Sequence, residues 1–188
     1  QKDNGQAAAI NAGFKKASGD IFLWINSDDI LMPNVLFAIA EIAIKEGDKL
    51  FIGNCIHFNE LKDGTLKAWG SNVPEKNNLL QIELIDYIIQ PSSFWTKAVW
   101  QKNGELNEKL HFVFDWEWFL RAKKNGIEIH GVNKCLSLYR IHENHKSASA
   151  GGKKLDELAT VYEKYSPSKV QLFKQLRKRK HSLFSKIL

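Results

Sequence analysis

Four consecutive polar residues, Asn26-Ser27-Asp28-Asp29, follow directly on the apolar run Ile21-Phe22-Leu23-Trp24-Ile25. Two adjacent carboxylates repel each other unless a cation lies between them. At the carboxyl end of a strand in an open α/β sheet they stand where such folds bind ligands. A hard divalent ion that also carries phosphate oxygens is the natural occupant of such a pair. The same residues also fit a turn leading into a helix, with Pro33 near a first helical position. The rest of the chain has to decide between these uses.

The elements that would position this loop can be read from period and punctuation. The run 21–25 is too short for a helix and rich in β-branched and aromatic residues, so it reads as a buried parallel strand. Before it, Gln6–Ser18 reads as a helix with Ala7, Ile10, Phe14 and Ala17 on one face and Gly19 as its stop. After it, Asn34–Glu46 reads as a second helix, with Leu36, Ile39, Ala40, Ala43 and Ile44 inward and Gly47 as cap. Leu50–Phe58 is strand-like, which gives the order helix, strand, helix, strand of a wound α/β sheet. Lys62-Asp63-Gly64-Thr65 has the chemistry of a hairpin turn, with Leu66–Trp69 returning as a short strand. Leu79–Ile89 fits either helix or strand.

Gln90-Pro91-Ser92-Ser93-Phe94-Trp95 reads as a short strand entered from a loop, since the residue before proline avoids helical angles. Thr96 is placed to cap a short helix ending at Gly104. Asp115–Asn125 reads as a helix stopped by Gly126, with Asp115 and Glu117 at the end that favours negative charge. Ile127–Gly131 and Leu136–Tyr139 read as two strands leading to Arg140-Ile141-His142. Beyond Asn144 the composition changes. Ser147–Gly152 is small and polar, Leu155–Tyr165 is helical, and Ser166-Pro167 marks a fresh helix start.

Composition narrows the functional classes. With 188 residues, 44% of them apolar, the chain can bury one sizeable core. No apolar run approaches the ~20 residues of a membrane-spanning helix. Cys55 and Cys135 lack a paired-ligand spacing and suit free thiols of a reducing compartment. Seven of the positive charges behind the net +6 lie in 168–188, where there is no acid, so the preceding residues carry a net charge of −1. A basic nucleic-acid-binding body is therefore not expected, and nucleic acid is not an expected partner. The tail instead reads as a basic amphipathic helix, suited to an anionic membrane surface or to packing its apolar stripe on the domain or a second subunit.

Four blocks stand in one order: Asp3-Asn4-Gly5-Gln6 with Asn11-Ala12-Gly13-Phe14; Asn26-Ser27-Asp28-Asp29; Gln90-Pro91-Ser92-Ser93-Phe94-Trp95; and Asp115-Trp116-Glu117-Trp118-Phe119-Leu120-Arg121, followed by Tyr139-Arg140-Ile141-His142. Together they resemble the family 2 glycosyltransferases of the GT-A type, over Gln1 to about Ser149. The resemblance implies a mixed α/β sheet flanked by helices, with 1–149 the C-terminal part of a catalytic domain and 150–188 a helical basic tail. Family members open with a further strand, helix and aspartate loop that hold the nucleotide base, so the expectation is that this chain lacks those first units.

The resemblance also assigns residues. Asp29 is the first choice for holding Mn²⁺ or Mg²⁺ against a donor diphosphate, with Asp28 beside it on ribose or metal and Asn26 in place of the first acid of the motif. Gly5, Gln6, Asn11 and Gly13 match the stretch near the nucleotide. Asp115 matches the catalytic base, and His142 the late residue that closes over diphosphate or metal, with Arg140 assisting the leaving group. Gln90, Ser92 and Glu117 fall on the acceptor side. The implied activity is metal-dependent, inverting transfer of a sugar from a nucleoside diphosphate, UDP first among them, to a saccharide or lipid-linked acceptor in polysaccharide, lipopolysaccharide or glycan synthesis. The implied location is cytoplasmic, peripheral at the inner face of the membrane. Two rival classes are a non-catalytic nucleotide-sugar or carbohydrate-binding relative, and a membrane-surface module acting through its tail.

Overall fold

The computed structural model describes residues 4–71, 73, 88–142, 151–167 and 170–171. The order is α1 (Gln6–Lys16), β1 (Ile21–Phe22), β2 (Ile30–Leu31), α2 (Val35–Glu46), β3 (Leu50–Glu60), β4 (Leu66–Gly70), a 3-10 turn (Gln90–Ser92), β5 (Ser93–Thr96), α3 (Lys97–Asn103), α4 (Phe114–Lys124), β6 (Ile129–Arg140) and α5 (Gly151–Tyr165). The strands form one mixed sheet in the order β1-β5-β3-β6-β2, with β4 added beside the second half of β3. Among the described residues, only β3 and β6 run parallel, and every other pair is antiparallel.

Alternation along the strands builds two cores. Leu50, Ile52 and Trp95 point to the side of α1, α3 and α4, where they meet Trp100, Trp118 and Phe119. Phe51 and Phe94, one residue out of step, point to the other side and meet Val35 and Ile39 of α2. The first core is dominated by rings: Trp95 and Trp118 lie 4.7 Å apart, Phe14 and Trp100 4.5 Å, and Trp24 stands edge-on to Trp95 at 5.3 Å. Gly53 lies where β3 and β6 slip in register, and a Cβ there would collide with the Leu136 side chain.

Several local expectations hold. Thr96 Oγ1 accepts from the Val99 amide at the start of α3, and Gly104 ends it with φ 79°. The β3–β4 turn is closed by Asp63 Oδ1, which accepts from the Thr65 amide, with Gly64 at φ 82°. Others are corrected. The run 21–25 is not a central parallel strand: only Ile21 and Phe22 pair, antiparallel to β5, and β1 ends the sheet path among the described residues. Trp24 is held by the ring cluster rather than by a ladder. α1 stops at Lys16, before Gly19, because Ala17 turns extended. In α2, Val35 and Ile39 are buried, whereas Leu36 and Ile44 are 57% and 86% exposed. The two strands expected over 127–139 are one bulged strand, β6.

α5 packs against the first core through Leu158, Val161 and Tyr165, so residues 151–165 belong to the folded body and not to a separate tail. Most of Leu79–Ile89, the Ser147–Ala150 stretch and almost all of the basic tail lie outside the described residues. Among the described residues, no helix is long and apolar enough to cross a membrane.

Candidate functional site

One cleft of about 770 Å³ opens where seven parts of the chain converge. Its walls are Trp24, Asn26 and Asp28 from the loop after β1, His57 from β3, Tyr139 and His142 from the end of β6, Gln90 and Pro91 from the 3-10 turn, and Phe112 to Trp116 at the start of α4. Gln6 from α1 and Lys154, Leu158 and Tyr162 from α5 complete it.

Loop 26–29 is fixed by hydrogen bonds that sort its two aspartates. Gln6 Nε2 donates to Asn26 Oδ1 at 3.1 Å, and Asn26 Nδ2 donates to Asp29 Oδ2 at 3.0 Å. The Arg140 amide donates to Asp29 Oδ1 at 3.2 Å. Asp29 is thus buried behind the wall, tying the loop to β6, and does not line the cleft. Asp28 does line it, with Oδ2 3.0 Å from His142 Nε2. Of the two carboxylates, Asp28 is the one on the cleft wall, and Asn26 holds Asp29, the first choice from the sequence, behind it.

Asp115 stands on the first turn of α4, in the same cleft, and its Oδ1 accepts from the Trp116 amide at 2.8 Å. The loop before it is held by Glu157 of α5. Its carboxylate accepts from three successive amides, His111 at 2.9 Å, Phe112 at 2.8 Å and Val113 at 3.3 Å. The Tyr139 phenol is pushed well above its ordinary pKa by burial first, and then by the negative charges of Asp29, Asp115 and Asp28.

The other expected site residues divide. Gln90 lines the cleft and donates to the Trp24 carbonyl. Gly5 starts α1 with φ 118° and faces His111. Asn11 is buried as a clamp on the α3–α4 connection: it donates to the Leu106 carbonyl and to Glu108, and accepts from the Leu106 amide. Gly13 is exposed on α1 and has no neighbour across from it within 4 Å.

Ser92 is fully buried, donating to the Asn54 carbonyl 2.9 Å away with Ser137 Oγ at 2.5 Å. Glu117 is 2% exposed and holds Arg121 through both oxygens, at 3.2 and 3.1 Å, while accepting from the Tyr165 hydroxyl. Neither Ser92 nor Glu117 reaches the cleft, so their acceptor-side assignment is corrected to a structural one. Arg140 turns its guanidinium to Glu60, 3.3 Å away, at the rim beside His142.

Sequence reasoning gave no role to His57, His111, Tyr139 or Lys154. Nothing local marks them, because each enters the cleft from a different element.

Among the described residues, no three His, Cys, Asp or Glu side chains converge as a metal cluster. Among the described residues, Asp28 and His142 are a carboxylate and an imidazole that meet on the cleft wall, 3.0 Å apart. One carboxylate and one imidazole suit an ion that takes its remaining ligands from substrate oxygens and water.

The "Glycosyl transferase family 2" model matches residues 1–103. Among curated proteins, the Bacillus subtilis glycosyltransferase YwdF is 25% identical over 174 residues, covering 88% of this chain and 62% of its own length. The Nostoc sp. glycosyltransferase alr2836 is 26% identical over 163 residues, covering 80% and 49%. The chain thus spans roughly half to three fifths of these relatives. Among solved structures, S. aureus TarS 1-349 in complex with UDP-GlcNAc superposes with a TM-score of 0.62 at 16% identity, covering 88% of this chain and 49% of that one. The same protein in complex with UDP gives 0.58. The fold is that of these neighbours, and with more than half its length matched by the family model, the chain belongs to glycosyl transferase family 2.

Proposed function

We propose that the protein transfers a sugar from a nucleoside diphosphate donor to an acceptor hydroxyl in one inverting displacement, within glycan, lipopolysaccharide or polysaccharide synthesis. The observation that carries this reading is the shared cleft: the Asp28–His142 pair and the Asp115 carboxylate line one cavity of substrate size. UDP-GlcNAc, the ligand of the TarS neighbour, is the first donor to test.

The chain's own residues supply three functions. Asp115 takes the proton from the acceptor hydroxyl as that oxygen attacks the anomeric carbon. Glu157 holds the loop that carries Asp115, which keeps the base in place without a conformational search. Asp28 and His142 would hold Mn²⁺ or Mg²⁺, and Lys154 adds a positive charge to the same wall. The ion, when bound, supplies Lewis-acid stabilisation of the charge that develops on the departing diphosphate.

Incubating the full-length protein with UDP-GlcNAc, Mn²⁺ and a panel of saccharide acceptors, and measuring released UDP, tests the reading. Release that stops on chelation and resumes with added metal is the expected result. UDP binding that is indifferent to metal, with no release under any condition, would favour the non-catalytic relative instead.

A further inference from the structure

We propose that the acceptor is a saccharide and that one of its rings lies on an aromatic row, Trp69–His57–Tyr139, running from the exposed β3–β4 hairpin into the cleft. The inference rests on the sugar-transfer reading and adds to it the acceptor class and its subsite.

The row follows from sheet register. His57 on β3 is the direct cross-strand partner of Trp69 on β4 and of Tyr139 on β6. Directly opposed residues share a face, so the three rings stand side by side across three strands. The His57 and Trp69 rings are parallel within 7° at 5.7 Å, and His57 meets Tyr139 edge-on at 5.4 Å.

One end of the row is the reaction centre, since His57 and Tyr139 line the cleft with Asp28 and Asp115. The other end is open: Trp69 is 49% exposed, on a strand all of whose residues are exposed. Unlike the exposed Leu36, Phe37 and Ile44 of α2, Trp69 is in ring contact with a residue that lines the cleft. An indole stacked on a cleft residue and half exposed suits the apolar C–H face of a pyranose, and its N–H and the flanking polar groups suit hydroxyls. The next pair along the same face, Asn59 opposite Lys67, adds hydrogen-bonding groups at the outer end. Burial holds the pKa of His57 below its ordinary value, opposed by a hydrogen bond with the Trp69 backbone.

The test uses full-length protein labelled with 5-fluorotryptophan, in which the Trp69 fluorine resonance is identified by its loss in W69F. UDP-GlcNAc is expected to move the Trp24 and Trp116 resonances, which belong to cleft residues, and to leave Trp69 unmoved. At least one of chitotetraose, cellotetraose and maltotetraose is expected to move Trp69. By calorimetry W69A should bind that tetrasaccharide about tenfold more weakly, and W69Y within about threefold of wild type, with melting curves unchanged.

A normal UDP-GlcNAc response with no tetrasaccharide moving Trp69, or equal affinity in W69A, overturns the subsite while sparing the donor reading. A Trp69 shift that tracks protein concentration alone assigns the patch to a second copy and also overturns it. No response to UDP-GlcNAc or to any other nucleoside diphosphate sugar tried, with Mn²⁺ present, removes the sugar-transfer reading, and this inference falls with it.

Discussion

Replacing Asp115 by Asn separates chemistry from architecture. Asp115 Oδ1 accepts from the Trp116 amide at 2.8 Å, and the amide oxygen of asparagine can accept the same bond, so the first turn of α4 keeps its shape. What disappears is the capacity to take a proton. General-base catalysis is worth about 10² to 10⁴ in rate, so kcat for UDP release should fall by that factor, equivalent to ~3–5 kcal/mol of barrier. Donor affinity should stay within about threefold, because the Asp28–His142 pair is untouched. Stability should change by less than ~1 kcal/mol, since the amide oxygen keeps the bond to the Trp116 amide. The assay is coupled detection of UDP under saturating donor, with calorimetric titration of UDP and a urea melt on the same sample. A D115N enzyme turning over within threefold of wild type would refute the base assignment. A collapse of stability would show that the residue is structural.

The two adjacent aspartates should part company. D28N is expected to lower metal-dependent UDP affinity about tenfold or more with the fold intact, whereas D29N should cost ~1–3 kcal/mol in urea melts, because Asp29 braces Asn26 and the Arg140 amide from a buried position. E117Q should destabilise by ~3 kcal/mol, since it leaves Arg121 against a neutral partner inside the protein, and acceptor kinetics of the folded fraction should not change.

His57 carries a pH signature. Burial holds its folded pKa below the unfolded value of 6.5, so its contribution to stability is complete above that pH and is lost as pH falls through the window beneath it. Melting curves between pH 7 and pH 5 should show this limb in wild type and a shallower one in H57Q. Parallel slopes would exclude His57 as its source.

Most of the local grammar was legible. Thr96, Gly104, Gly64 and Gly126 act through their own backbone angles and neighbours, so helix ends and the hairpin turn could be placed from composition alone. The strand 21–25 was misread for a definable reason: an apolar run signals burial, but Phe22 and Trp24 enter the ring cluster around Trp95 and Trp100, Ile21 and Leu23 pack on the other core, and Ile25 is exposed. Glu117 illustrates the reverse. Residues two apart on a helix face different ways, so Asp115 in the cleft already implied that Glu117 would point elsewhere, toward Arg121 and Tyr165.

What the chain's residues determined by themselves was an α/β protein carrying an acidic loop after a strand, a carboxylate at a helix start and a late histidine, in the order of a sugar-transferring family. Which of two neighbouring aspartates meets a ligand, and which rings line the path to it, was decided by tertiary structure. His142 meets Asp28 across 114 residues of sequence, and Trp69 meets His57 only through strand register. Spacing reports periodicity within an element, whereas a cleft is made where separate elements end, and their mutual placement is set by core packing that no short stretch encodes.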